Sequence, residues 1–397
     1  MDFYTMTGTF LPDELIDQFT SAIWNERYKA AGDFQIIVPA SASNIAKLKE
    51  GKYLALRGSK EVMQIQTQSI EKGLMTVTGF SLTSAILNQR YMWKYNLEAT
   101  GVDNRIADWN QEAKAGEFIA EVIEAMVIDT APWGDGTMGQ SNLDWAMEEL
   151  PFLTLGPIDA SGVAKRQTAA VGPLYDSIAS IANSEDVGIL LYLESADPID
   201  GYSLKFTTYQ GVDHTSDQDD VPLIRLLPDL DSITDLKEIN SIGLYKNVAY
   251  VYWNGVISKH LAEPLLPEPE GLDRRVLITD AVGAPVGHKV QYPMMGPVGW
   301  RPGGTYTQLV VDTDDITAFR EQHARDAFAN ANYIHAVDGQ TSPNSEYVYG
   351  MHFGLGDLIE LQGLTGAISK ARITEYIRSQ DQYGEKNYPT ISVITDE

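Results

Sequence analysis

Leu48-Lys-Glu-Gly51-Lys-Tyr-Leu-Ala-Leu56 stands near one end of the chain, and Gly354-Leu-Gly356-Asp-Leu-Ile-Glu-Leu361 near the other. In both, a glycine precedes a short alternating run. A second alternating run begins at Val62, eleven residues past Gly51, and at Ile368, twelve past Gly356. Period-two alternation marks strands with one buried face, and the glycines supply turns. Each copy follows an aromatic-containing strand, FQIIV at 34–38 or YVYGMHF at 347–353, and closes with another, LMTVT at 74–78 or TISVI at 390–394. The last copy carries a longer hairpin tip, Ser379 to Tyr388. Two β modules of similar layout, one at each end, are the expectation.

Outward from these stretches, the first 95 residues read as β. Tyr53–Arg57 lies between Gly51 and Gly58, and Val62–Ile70 turns at Lys72-Gly73 into Leu74–Thr78, which is a hairpin signal. Phe19–Tyr28 is read as a strand, because Ala30-Ala-Gly32-Asp33 then turns into Phe34. A helix over Leu82–Gln89 closes the unit. In Glu112–Asp129, Phe118, Ile119, Val122, Ile123, Met126 and Val127 make one helical face, with Glu117, Glu121 and Glu124 opposite. A loop is expected over Ala131–Val163, then a helix on Leu174, Ile178 and Ile181. Val187–Glu194 and Tyr202–Tyr209 read as a hairpin, and Val248–Trp253 as a strand. Ala262–Leu272 is a proline-rich linker or arm, and Ala281–Gly304 a long loop, apolar enough to pack on a neighbour. Asp314 or Asp315 is expected to cap a helix with the stripe Ile316, Phe319, His323, Ala327, Ala331 and Ile334. The fold class is α+β, mainly β, and multidomain. Residues 1–95 form the first module and 96–200 a helical α+β insert. Residues 201–345 form a mixed domain holding linker 262–272 and loop 281–304, and 346–397 a second module completed by earlier strands.

The 397 residues exceed one ordinary core, and 44% hydrophobic with 21% charged residues describes a chain that folds. Lys and Arg total 29 against 55 Asp and Glu, a net charge of −26. That argues against gripping phosphate backbones or anionic membranes. Residues 1–95 are net +1 and 364–397 net −1, so the middle carries the imbalance; 184–238 holds thirteen acids against Lys205, Arg225 and Lys237. Near-neutral ends suit self-assembly, while an acidic middle suits solvent, or a polyanion that must not bind. With no cysteine, disulfides, thiolate metal sites and cysteine nucleophiles are excluded. The start, MDFYTMTGTF, has no basic stretch, and no run of about 18 apolar residues occurs, so neither a secretory signal nor a spanning helix is expected. Synthesis in a cytoplasm follows.

Catalytic motifs fail one by one. Gly354-Leu-Gly356 lacks the third glycine of a dinucleotide loop and enters a strand, and Gly283–Lys289 lacks P-loop spacing. There is no G-x-S-x-G and no H-E-x-x-H. The histidines at 214, 260, 288, 323, 335 and 352 show no ligand spacing. Glu148-Glu149, Asp219-Asp220 and Asp314-Asp315 are acid pairs of the kind a glycosidase needs, but so acidic a chain contains them by number alone. Asp213–Asp220 could loop around calcium, yet it misses the glycine and terminal glutamate of an EF-hand. No catalytic, cofactor-binding or metal residue is assigned.

Trp24-Asn-Glu-Arg-Tyr28, Gly32–Ile36 with Pro39, and Gly51-Lys-Tyr53 together resemble the N-terminus of the minor tail proteins of siphophages, of the actinobacteriophage type. Phe206–Asp213, Gly271–Arg275, Arg372–Tyr376 and Gly384–Thr390 continue that resemblance in order along nearly the whole chain. The family is similar to baseplate hubs. The resemblance implies a structural virion protein rather than an enzyme, at the tail tip. It implies a homotrimer in which each subunit gives two tail-tube-like β-barrel modules to a pseudo-sixfold ring. Expected partners are the distal tail protein or tube above, tip or fibre proteins below, and the tape measure protein. DNA would pass through without being bound, and no cofactor is implied. The chain ends at Glu397 after the last module, so no wall-degrading domain is expected. The alternatives are a carboxylate-dependent cell-wall or glycan hydrolase of the tail, and a host-receptor-binding tail protein.

Overall fold

The two glycine-led stretches fold alike down to single backbone bonds. Gly51 N–H donates to Ile65 O (2.8 Å) and Ile65 N–H to Lys52 O (2.9 Å); Gly356 N–H donates to Ile373 O (2.8 Å) and Ile373 N–H to Asp357 O (3.0 Å). Both glycines sit at positive φ, 84° and 86°, a conformation that excludes most side chains. The next strand pairs in the same register, Leu54 opposite Met63 and Ile359 opposite Ala371. Past Ile65 and Ile373 each long strand bulges by one residue, before Thr67 and Glu375. A bulge shifts the alternation of everything beyond it, so both modules re-aim the same hairpin at the same place.

The computed structural model describes residues 1–95, 106–129, 149–150, 152–197, 201–227, 232–262, 268–281, 288–293, 305–329, 331, 334–341, 346–363 and 368–393. The first module comprises β1 (Phe3–Met6), β2 (Pro12–Ile16), β3 (Ser21–Arg27), β4 (Asp33–Pro39), α1 (Ala42–Lys47), β5 (Tyr53–Leu56), β6 (Val62–Glu71), β7 (Leu74–Ser81) and α2 (Leu82–Leu87). The middle holds β8 (Trp109–Ala113), α3 (Ala115–Ile123), β9 (Leu153–Ile158), β10 (Lys165–Ala169), α4 (Leu174–Ser184), β11 (Gly188–Asp197) and β12 (Gly201–Tyr209). Then follow β13 (Arg225–Leu226), β14 (Ile233–Ser241), β15 (Val248–Trp253), β16 (Val256–Leu261), β17 (Val276–Asp280), β18 (His288–Pro293), β19 (Thr305–Val310) and α5 (Thr313–Ala329). The chain closes on β20 (Ile334–Thr341), β21 (Leu358–Gln362), β22 (Ile368–Asp381) and β23 (Gly384–Val393). It is a mainly β protein with several sheets.

One sheet holds both repeats, in the order β14-β20-β23-β22-β3-β4-β7-β6-β5-β1-β2, with β21 joining β22 to β13. The run β3-β4-β7-β6-β5 is thus matched by β14-β20-β23-β22-β21. The counterpart of FQIIV is therefore β20, and not YVYGMHF as the sequence suggests. Residues 346–353 form an irregular stretch with a lone bridge, Tyr349 to Phe353, and Tyr349 stacks on Tyr376 instead. The error arises because residues 242–333 intervene between the first two strands of the second module, and aromatic content alone does not distinguish a strand from a packed loop. Equivalent core positions carry equivalent residues: Leu54, Leu56 and Ile65 are buried in one module, Ile359, Leu361 and Ile373 in the other. Each such side chain removes roughly 1.5–3 kcal/mol worth of apolar surface from water.

Elsewhere the periodicities mostly hold. Residues Phe118 to Val127 of the expected face are buried, and Glu117, Glu121 and Glu124 are exposed. The helix starts later than expected, because Trp109–Ala113 pairs with β10, and its last turn, Glu124–Ile128, is π. The expected loop 131–163 contains β9, which lies parallel to β12 and whose alternation is hidden by Gly156-Pro157; residues 131–148 lie outside the described residues. The loop 281–304 likewise contains β18, antiparallel to β19, and its remainder, 282–287 and 294–304, is outside the description. So are residues 263–267 of the linker; Gly271–Asp273 is one 3-10 turn. Helix α5 is capped by Asp312, whose Oδ1 accepts from the N–H groups of Asp314 (2.9 Å) and Asp315 (3.0 Å). It ends at Ala329, so Ile334 belongs to a strand and not to the helical stripe.

Candidate functional site

Three of the segments singled out in the sequence, Trp24–Tyr28, Phe206–Asp213 and Arg372–Tyr376, come together where the second module meets the first. Strand β22 pairs antiparallel with β3, from Glu375 opposite Arg27 to Gln380 opposite Ala22. Arg27 Nε donates directly across to Glu375 (2.7 Å), and Arg378 reaches Glu26 diagonally at 3.4 Å. Tyr349 O–H donates to Glu26 (2.9 Å), and its ring lies 3.6 Å from that of Tyr376 at 7°. The Arg378 guanidinium covers both rings, 5.9 and 5.5 Å from their centroids.

Tyr28 plugs the same junction from the end of β3. Its hydroxyl donates to Asp186 O (2.9 Å), and Arg372 spans from Asp186 (2.7 Å) across its ring. Burial pushes the Tyr28 and Tyr349 hydroxyls up, so both stay protonated and keep an O–H to donate. Gly188 and Gly356 flank the Tyr28 ring so closely that a Cβ on either would overlap it, and Gly211 abuts the Gly356 backbone in the same way. The glycines in Gln-Gly211-Val and Leu-Gly356-Asp are thus contact glycines, with Gly356 also bound by its φ.

A cavity of about 560 Å³ opens beside this junction, lined among others by Glu26, Lys60, Glu61, Tyr209 and Arg378. Burial, and then the charge of Glu26, push the Glu61 carboxyl up to about 8. Sequence reasoning did not single out Glu61. The available signal is parity, since Glu61 shares the inward phase of Met63 and Ile65 on β6. A raised carboxyl beside a second carboxylate has the ingredients of acid–base chemistry. Here Glu26 is already committed to Tyr349 and Arg378, which makes the pair part of a structural network.

Among the described residues the acid pairs weighed in the sequence do not converge. Glu148 is outside the described residues and Glu149 is exposed; Asp219 and Asp220 are exposed in a turn. Asp315 is buried against Arg166 (2.7 Å), while Asp314 faces solvent. In the Asp213–Asp220 loop, Asp213 Oδ1 accepts from the Thr215 N–H and hydroxyl, and Lys370 reaches Asp217 at 2.8 Å. Among the described residues no group of three or more His, Asp or Glu is arranged to hold a metal ion. His214 is buried with Nδ1 2.9 Å from Pro222 O, and His323 Nδ1 lies 3.0 Å from Phe319 O.

No helix among the described residues is long and apolar enough to cross a membrane. No curated protein matches the chain in sequence. Among solved structures the chain is similar to the tail protein from Neisseria meningitidis MC58, with a TM-score of 0.49, 9% identity, and 98% of this chain and 96% of that one covered. It is similar to the 43 kDa tail protein of prophage MuSo2 from Shewanella oneidensis, at TM-score 0.49 and 10% identity, covering 99% and 98%. It is also similar to prophage tail protein gp18 from Listeria monocytogenes EGD-e, at TM-score 0.46 and 12% identity, covering 99% and 94%. The family described as Siphovirus ReqiPepy6 Gp37-like protein matches residues 7–391, and the chain belongs to that family of siphovirus tail proteins.

Proposed function

We propose that this tail protein is the hub of the tail tip, a homotrimer that joins a sixfold tube to a threefold tip and leaves a passage for the genome. The observation that carries the reading is the duplication within one continuous sheet, where matching strand orders, matching turn bonds and matching bulges make two equivalent units per chain. Three copies then supply six positions. On this reading residues 1–95 form the first unit. Residues 233–241 and 334–393 form the second, with the helical and mixed segments inserted between strands and projecting from the ring.

A distal tail protein or the tube would sit above, tip or fibre proteins below, and the tape measure protein in line with the bore. DNA would pass without being held, because a net charge of −26 per copy repels phosphate. The role is structural rather than catalytic: Glu26 at the junction is held by Tyr349 and Arg378, and the described acid pairs of the sequence lie apart. Light scattering at several concentrations tests the stoichiometry. The expected mass is about 131 kDa, three times 43.8 kDa. A protein that stays at the monomer mass, alone and with its tail partners, would overturn the reading.

A further inference from the structure

The chain displays one step from module to module and leaves the next one open. Within the chain, the outer edge of β22 beyond its bulge takes β3. The counterpart of that edge in the first module is Thr67–Glu71 of β6. Among the described residues no strand pairs with it on that side, because β5 covers only Val62 to Gln64. These residues are largely exposed, Ile70 to 54%. Helix α1 is bonded to the segment by the Gln68 side chain, whose amide donates to Ile45 O (3.3 Å) and Leu48 O. The counterpart of β3 is β14, the terminal strand of the sheet, which among the described residues pairs with β20 alone. Open edges of this kind are templates for another strand.

The two repeats fix the register between these edges. Trp24 lies opposite Phe34 as Glu238 lies opposite Val337, so Ile23, Asn25 and Arg27 correspond to Lys237, Ile239 and Ser241. Resting on the ring reading above, we propose that β6 of one copy pairs antiparallel with β14 of the next copy. Thr67 lies opposite Ser241, Ser69 opposite Ile239, and Glu71 opposite Lys237. That register sets an acid directly against a base, as the internal junction does with Glu375 and Arg27 at 2.7 Å. The contact is head-to-tail, it closes as a ring, and it covers both open edges at once.

The chain has no cysteine, so Ser69→Cys with Ile239→Cys introduces the only thiols. After mild oxidation of the full-length double variant, a denaturing non-reducing gel should show covalent dimers and trimers, and each single variant only monomer. Glu71→Lys should lower the assembled fraction several-fold, and E71K with K237E should restore it. An oligomer of wild-type mass without cross-links overturns this junction and leaves the ring standing. A monomer without cross-links overturns both.

Discussion

Glu61 is a residue whose chemistry departs from its sequence appearance. Its carboxyl is held near 8 against an ordinary 4.5, so the folded protein keeps a proton there that the unfolded chain releases. The native state therefore binds more protons between those values, and stability from this group falls as pH rises from about 4.5 to about 8, by on the order of a few kcal/mol. Melting temperatures measured across that window should decline for the wild type and decline less steeply in Glu61→Gln, in which Asp326, raised to about 6 by burial, still titrates. Equal slopes would contradict the assignment. Single residues were unevenly legible. Gly51 and Gly356 stand out because a glycine ahead of an alternating run has a turn to make. Gly188 and Gly211 carry no such mark, since only the approach of Tyr28 and of a distant backbone demands them.

Among elements, those with local causes could be read from sequence. The period-two runs of β6, β11 and β12, and the apolar face of α3, depend on neighbours in sequence and lie where expected. Elements defined by distant partners could not. Strand β9 exists because β12 lies alongside it, and β14 because β20 does, although neither has a clean alternation. The bulge before Glu375 was invisible for the same reason, yet it decides how β22 meets β3. Deleting Thr374 removes the extra residue and turns Tyr376 and Arg378 to the opposite face. Hydrogen exchange should then show β3 and the distal half of β22 losing protection while β15–β17 keep theirs. Unchanged protection across Trp24–Arg27 would show that the bulge does not set this junction.

At the scale of the molecule, the sequence repeat was legible at its glycines but mis-framed at its first strand, because a long insertion separates β14 from β20. Once β20 takes that place, the acidic segments sit largely outside the duplicated sheet. Residues 184–238 run from the end of α4 to the middle of β14, and their thirteen acids lie mostly on the insert. On the proposed hub reading the two modules, net +1 and −4 of the −26, would bind one another, while the acidic insert would keep DNA moving. The measurement that tests this account most directly is electron microscopy of the purified full-length protein, with rotational analysis of end-on class averages. The duplicated sheet predicts six similar lobes around a central hole, with threefold modulation from the inserts. Three lobes with no sixfold component, or particles without a hole, would contradict it.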